Sequence, residues 1–493
     1  MNQSAEPAGL PDFGASPWHG GELPAVSAGA LVWSYQRLAT LAGRRAEMLR
    51  GAGVRPGQVV ACGADAGAEL VLLQHALARI GAALLPLRPD LAEPELNALI
   101  TATGTEWRWH PDARGGGAAV ATGRTPPPSL WANDALALLV ETSGSSGKPK
   151  AAMLTRCNLL TSCSLVNRRL GLGAGDEWLC CLPLQHVGGL AIGYRCALAG
   201  ATLRLHKGFD TNAVRADLSR RRVTHLSLVP PMLARLLDAG AESGIDGGLR
   251  PPPSLRVLLV GGQALSGALA RRAIAAGWPL CVSYGMSETF SLVATADYRA
   301  DGDGAPETGT PLPGVELDCA RCGEPARPLR LRGPMLMAGY ANPERRTGVG
   351  LDQGWLGTSD LACIDENGGL RVLGRADDAL VIGGVTVLPA AVEERLAALP
   401  GIEAVAVVGV PHPVWGRTLA ACYAGACGRA DLERWCRANL PGAERPRIFV
   451  PCARLPLLAS GKVDRAALTA TAASADDGAF GAPGRDEIAD GCE

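Results

Sequence analysis

Thr142-Ser143-Gly144-Ser145-Ser146-Gly147-Lys148-Pro149-Lys150 crowds hydroxyls, two glycines and two lysines into nine residues, directly after the apolar run 135–140. That run reads as a buried strand, so the stretch is a polar loop leaving a strand end. Glycines let backbone N–H groups turn inward on an anion, hydroxyls donate further hydrogen bonds, and lysines supply charge. The polyphosphate of ATP fits that description. The spacing excludes a Walker A loop, which needs four residues between its first glycine and Gly-Lys, then Ser or Thr; here two intervene and Pro149 follows. Ser145 to Lys148 also fits the S-x-x-K of penicillin-recognising enzymes, but no S-D-N or K-T-G accompanies it. A merely flexible polar loop is the bland alternative, and lysine usage argues against it. Lysine occurs only at 148, 150, 207 and 462, so 43 of the 47 basic residues are arginine (47 − 4). Where lysine survives such a bias, a compact point charge is needed that the planar guanidinium cannot replace. Lys207 lies in no motif, and chance accounts for it.

Outward from the loop, short apolar strands alternate with helical patterns. Residues 31–50 read as a helix with Leu31, Leu38, Leu41 and Met48 on one side; 68–80 read as a second; 59–62, 82–87 and 257–260 read as strands. This alternation predicts an α/β fold with a parallel sheet. Segments 114–128 and 240–253, rich in Gly and Pro, read as loops or linkers. After Arg375 the pattern changes to strand 380–382, helix 390–398, strand 404–410 and helix 431–439, a small α+β unit. The expected division is an N-terminal extension 1–28, a large layered domain 29–374, a small mobile domain 375–469, and a disordered tail 470–493.

Of the 493 residues, 47% are hydrophobic and 19% charged, and the formal net charge is −1, which leaves no footprint for nucleic acid or an anionic membrane. Residues 1–24 lack the basic start and apolar run of a signal peptide, and the most apolar stretch, 179–198, is interrupted by Gln185, His186 and Arg195. The reading is a soluble, cytoplasmic protein. The 15 cysteines then read as reduced thiols filling the core. Cys319 and Cys322 form one CxxC with no second pair or histidine, which reads as a bend between strands rather than a zinc site.

The loop resembles the phosphate-binding signature of the adenylate-forming superfamily, which includes acyl-CoA synthetases, luciferases and peptide-synthetase adenylation domains. Further stretches resemble its other signatures in the same order. They are Leu182-Pro183-Leu184-Gln185-His186-Val187-Gly188-Gly189, Gly261-Gly262-Gln263-Ala264, Ser283-Tyr284-Gly285-Met286-Ser287-Glu288-Thr289, Gly357-Thr358-Ser359-Asp360, Gly374-Arg375-Ala376-Asp377-Asp378 and Ser460-Gly461-Lys462. The resemblance implies that a carboxylate attacks the α-phosphate of ATP with Mg²⁺ present, and that the acyl group passes to the thiol of CoA. Whether a carrier protein replaces CoA, and whether two copies form a homodimer, stays open. It implies that Thr142, Ser143, Gly144, Ser145, Ser146, Gly147, Lys148 and Lys150 hold the polyphosphate. Gly262, Gln263, Ala264, Tyr284, Gly285, Ser287, Asp360 and Arg375 would surround the rest of the nucleotide. Glu288 would take the metal, and Lys462 would bridge acid and α-phosphate, where negative charge builds. Asp377 would be the hinge, and Gly383-Gly384 the loop through which the thiol enters. Ser283, Gly285, Thr289 and Ser291 would border the acid, with His186 beside its carboxylate.

Arg195 stands in an otherwise apolar helical run, where a guanidinium is expensive to bury unless an anion pairs with it. Either an internal acid neutralises it, or it anchors a second carboxylate on the substrate. Within the superfamily this detail resembles the o-succinylbenzoate–CoA ligases, as do His225-Leu226-Ser227-Leu228-Val229-Pro230-Pro231-Met232-Leu233 and Tyr284-Gly285-Met286-Ser287-Glu288-Thr289-Phe290-Ser291. Gln185, Ala151, Ser287, Ser359 and Val385-Thr386 depart from common family residues, which bears on substrate choice rather than on the chemistry.

Overall fold

The computed structural model describes residues 21–112, 117–124, 136–142, 150–241, 250–297, 309–342, 344–412, 416–458 and 462–476. Ser143 to Lys148, Ser460-Gly461, and the expected tail from 477 onward therefore lie outside the described residues.

Two large sheets and one small one build the N-terminal body. The first runs Thr310–Pro311, Ser291–Asp297, Leu280–Met286, Val257–Val260, His225–Leu228, Glu177–Cys180, Thr202–Leu205, Pro24–Ala28, Leu31–Ser34. Its six strands from Leu280–Met286 to Pro24–Ala28 are mutually parallel. The second runs Gly339–Tyr340, Lys150–Thr155, Leu136–Thr142, Ala83–Leu87, Val59–Gly63, Trp107–Pro111, Gly117–Ala121. The core wedged between them includes Leu38, Leu73, Leu84, Leu160, Trp178 and Leu190, all buried. Strands buried on both faces read as continuous apolar runs, which is why 257–260 and 136–140 were legible. The third sheet carries the strands Leu356–Ile364 and Leu370–Arg375 side by side.

Local departures have local causes. Residues 31–34 form a strand rather than the start of the expected helix, antiparallel to Pro24–Ala28. The helix is Tyr35–Ala52, capped by the Ser34 hydroxyl, which accepts from Arg37 N–H at 3.1 Å. Its buried face is Tyr35, Leu38, Ala42, Arg45, Ala46 and Leu49, while Leu31 and Met48 are exposed. The expected N-terminal extension ends inside the sheet, because Pro24–Ala28 pairs with Thr202–Leu205. Gly117–Ala121, expected as loop, is a strand paired with Trp107–Pro111. Cys322 is bonded to Cys363 across the pairing of Ala320–Arg321 with Leu356–Ile364, which corrects the expectation of free thiols at that pair. Cys319 is free and buried.

The small domain holds a hairpin Leu380–Ile382/Val385–Val387, the long antiparallel pair Ile402–His412/Gly416–Gly425, and Ile448–Pro451 parallel to the latter. Gly383 and Gly384 form the two-residue hairpin turn with φ of +55° and +86°, the left-handed pair such turns require. The last helix, Arg465–Asp476, runs past the expected start of the tail at 470. Leu468 and Ala472, one helical turn apart, are buried against Ala406, Val408 and Val450. Its first residue is clamped by Glu393, whose carboxylate accepts from Arg465 at 2.7 and 3.0 Å.

Candidate active site

The ends of parallel strands bring the motifs together. Glu177–Cys180 leads into the loop that ends at His186, Val257–Val260 into Gly261-Gly262, and Leu280–Met286 carries Ser283 and Tyr284. Such strand ends are where open α/β sheets place ligands. The chain here is close-packed. A Cβ on Gly285 would overlap the carbonyl of Ser291, and one on Gly261 would overlap the Ser283 hydroxyl. Phe290 and Ser291 follow with φ of +49° and +92°, a left-handed backbone rare for side-chain-bearing residues. It is held by Thr289 Oγ1 donating to Ser291 O at 2.7 Å and by Ser162 Oγ donating to Phe290 O at 3.3 Å. Strain retained at a bordering residue of this kind is a mark of a site rather than of a core.

Tyr284 Oη donates to Asp360 Oδ2 at 2.5 Å, and Arg375 NH1 donates to Asp360 Oδ1 at 3.3 Å. Burial first, then the neighbouring Asp360 carboxylate, push the Tyr284 phenol well above its ordinary range, so it remains a donor. The other edge of the Arg375 guanidinium grips Asp377 at 2.9 and 2.6 Å. That contact holds the Asp377 carboxyl below its usual range. The expected hinge residue is thus tied through one arginine to the expected ribose ligand.

Glu288 is the middle residue of a short turn Ser287–Thr289. Its Oε1 accepts from Tyr340 Oη at 2.7 Å, and among the described residues Oε2 has no partner. No cluster of three or more His, Cys, Asp or Glu able to hold a metal occurs among the described residues. A single open carboxylate oxygen nevertheless fits a magnesium–nucleotide complex, since that ion keeps waters and takes most ligands from substrate phosphates. Thr142 pairs with Lys150 in register, and Lys150 Nζ lies 5.6 Å from the Tyr340 ring centroid.

His186 is the residue preceding the helix Val187–Ala199, half-buried. Burial, then the positive charges of Lys462 and Arg88, hold its imidazole below the ordinary 6.5. Lys462 itself is exposed, and its carbonyl accepts from Leu458 N–H at 2.7 Å. Arg88, at the end of Ala83–Leu87 and 3.4 Å from Glu141, joins this cluster and was not singled out from the sequence. Neither was Tyr340, which no local pattern marks.

Arg195 is 1% exposed, and among the described residues its Nε and NH2 find no hydrogen-bond partner and its guanidinium no acid. The Trp178 ring lies 5.7 Å away. Cys163 is close, but burial pushes its thiol up to about 12, so it supplies no counter-charge. The internal salt bridge left open above is not found among the described residues. Gly383 and Gly384 are exposed, with open space where a Cβ would stand.

A family model of AMP-binding enzymes matches residues 19–108 and 102–341, and one of their C-terminal domain matches 391–462. The chain belongs to the AMP-binding enzyme family. It is an enzyme of the adenylate-forming acyl-CoA ligases within that family. Among its relatives, a feruloyl-CoA synthase of Amycolatopsis is 34% identical over 468 residues, 89% of this chain and 94% of that one. A 2-succinylbenzoate–CoA ligase of Bacillus cereus is 32% identical over 441 residues, 85% of this chain and 89% of that one. The o-succinylbenzoate CoA synthetase of Bacillus subtilis, solved with its acyl-adenylate, superposes with a TM-score of 0.76 at 28% identity, covering 91% of this chain and 95% of that one. The same synthetase has been solved with ATP and magnesium. The two-domain α/β architecture of this AMP-binding enzyme is the one expected from its sequence. Among the described residues no helix is long and apolar enough to cross a membrane.

Proposed function

We propose that this enzyme activates o-succinylbenzoate with ATP and transfers the acyl group to CoA, a step of menaquinone synthesis carried out in the cytoplasm. A carboxylate oxygen attacks the α-phosphorus, forming the acyl–phosphate bond and expelling pyrophosphate; the thiol then attacks the acyl carbon and AMP leaves. The observation that carries this reading is the bonded cluster of Tyr284, Asp360 and Arg375 at the strand ends, with Lys462 of the small domain among the charges that lower the His186 imidazole. A lysine there balances the charge of two approaching anions, and a neutral imidazole beside it accepts or donates a hydrogen bond without adding repulsion or attraction. Asp360 takes the ribose hydroxyls, being an acceptor-only group already oriented by Tyr284 and Arg375. Glu288, together with the phosphates of ATP, would hold magnesium, which would supply positive charge against the polyphosphate.

Arg195 supports the choice of acid: a fully buried guanidinium lacking a protein counter-charge among the described residues suits a substrate with a second carboxylate. A second reading, an aryl monoacid such as ferulate, is favoured by the 34% identity to the Amycolatopsis synthase. ATP-dependent pyrophosphate release with CoA across o-succinylbenzoate, ferulate, benzoates and medium-chain fatty acids separates the two. Preference for o-succinylbenzoate is expected. Preference for ferulate transfers the assignment to the second reading, and acid-independent release overturns both.

A further inference from the structure

We propose that Tyr340 is a positioning residue that locks Glu288 and Lys150 into one unit, so that the metal carboxylate and a phosphate-loop lysine are presented to ATP together. This rests on the reading of Glu288 as the carboxylate that takes magnesium. Tyr340 is 52 residues from Glu288 in the chain, on the two-residue strand Gly339–Tyr340 that pairs with Met153 and Ala152 of Lys150–Thr155. One face of its ring looks toward Lys150 Nζ at 5.6 Å. The ring also packs against Gly350, whose φ of +84° and missing side chain make the room: a Cβ there would strike Cδ2 and Cε2. Its backbone N–H donates to Val349 O at 2.8 Å. The ring's hydroxyl points at Glu288 Oε1.

Three physical consequences follow from this placement. The hydrogen bond fixes which carboxylate oxygen is occupied, leaving Oε2 for the ion or its water. The hydroxyl is the donor of this bond, since a carboxylate only accepts. The ring's negative face attracts the Lys150 ammonium, holding one cation where the polyphosphate arrives. The backbone of Glu288 is fastened separately, by Met337 N–H donating to Glu288 O at 2.7 Å, so the hydroxyl's task is to orient the side chain rather than to hold the turn.

Outer partners of metal ligands commonly change metal affinity by about 10- to 100-fold when removed. Tyr340→Phe keeps the ring, the packing on Gly350 and the contact with Lys150, and deletes the hydroxyl alone. Calorimetric titration of the wild type, Tyr340→Phe, Glu288→Gln and the double variant with MgATP, and with ATP in EDTA, tests the proposal without turnover. Tyr340→Phe should weaken MgATP binding about 10-fold or more and leave metal-free ATP binding unchanged. The double variant should bind MgATP no more weakly than Glu288→Gln alone, since the hydroxyl acts through that carboxylate. Wild-type MgATP affinity in Tyr340→Phe, equal losses with and without metal, or additive losses in the double variant would each overturn the role of Tyr340 while leaving Glu288 standing. If Glu288→Gln itself shows no metal-dependent loss, the metal reading fails and the proposal with it.

Discussion

Replacing Arg195 by methionine separates a substrate anchor from a structural arginine, because the two roles predict opposite signs. The substitution keeps the unbranched apolar stem against Trp178 and removes the charge. In the protein without substrate, two guanidinium nitrogens are buried and unpartnered among the described residues. Each such group costs about 1–3 kcal/mol, partly offset by about 2 kcal/mol from a desolvated cation over an aromatic ring. Removing both terms leaves no loss of stability and a gain of up to about 4 kcal/mol, read as a urea midpoint unchanged or moved upward at constant m-value. With a diacid bound, the same change leaves a buried carboxylate unpaired, at about 2–5 kcal/mol. That is a fall of about 30-fold to several thousand-fold in kcat/KM for o-succinylbenzoate, with much smaller change for a monoacid. Pyrophosphate release with both acids and a urea titration of the same preparation supply the two numbers. A destabilised variant whose acid preference is unchanged would refute the anchor and make Arg195 a structural residue.

Lys462→Ala should abolish acid-dependent pyrophosphate release while ATP still binds. It should also raise the His186 pKa toward 6.5, because one of the two cations depressing it is gone; an imidazole NMR titration unmoved by the substitution would remove Lys462 from the site. Since the folded protein holds His186 below its unfolded value, protons bind the unfolded chain more readily, so this residue's contribution to stability is lost as pH falls from the unfolded 6.5 through the folded pKa. Glu106→Ala leaves Arg345, 3% exposed and paired to Glu106 at 2.7 and 3.2 Å, without its buried counter-charge. A loss of about 3–5 kcal/mol is expected in chemical denaturation, and a loss under about 1 kcal/mol would show that water relieves the charge. Gly285→Ala drives a methyl into the Ser291 carbonyl. Overpacking of about 1–3 kcal/mol should appear as a lowered denaturation midpoint, together with a raised KM for the acid, and an unaffected KM would detach Ser291 from the acid.

The sequence by itself determined the α/β class and the two-domain plan. Those signals are local. Apolar runs such as 257–260 declare a doubly buried strand, and 68–80 followed by Gly81 reads as a helix and its end. Propensity misled where a neighbour decided: residues 31–34 continue the helical spacing, but the free edge of Pro24–Ala28 captures them as a strand.

Only the tertiary structure decided which distant groups meet. Tyr340 and Glu288 are 52 residues apart, Arg345 and Glu106 are 239 apart, and Cys322 finds Cys363 rather than its CxxC neighbour Cys319. Nor could the chain alone state that Arg195 is buried among neutral thiols and an indole instead of an acid. Backbone propensity acts over a helical turn or a hairpin, whereas pairing across 50 or 200 residues is set by how sheets stack and which loops their ends project, and that depends on every residue in the core at once.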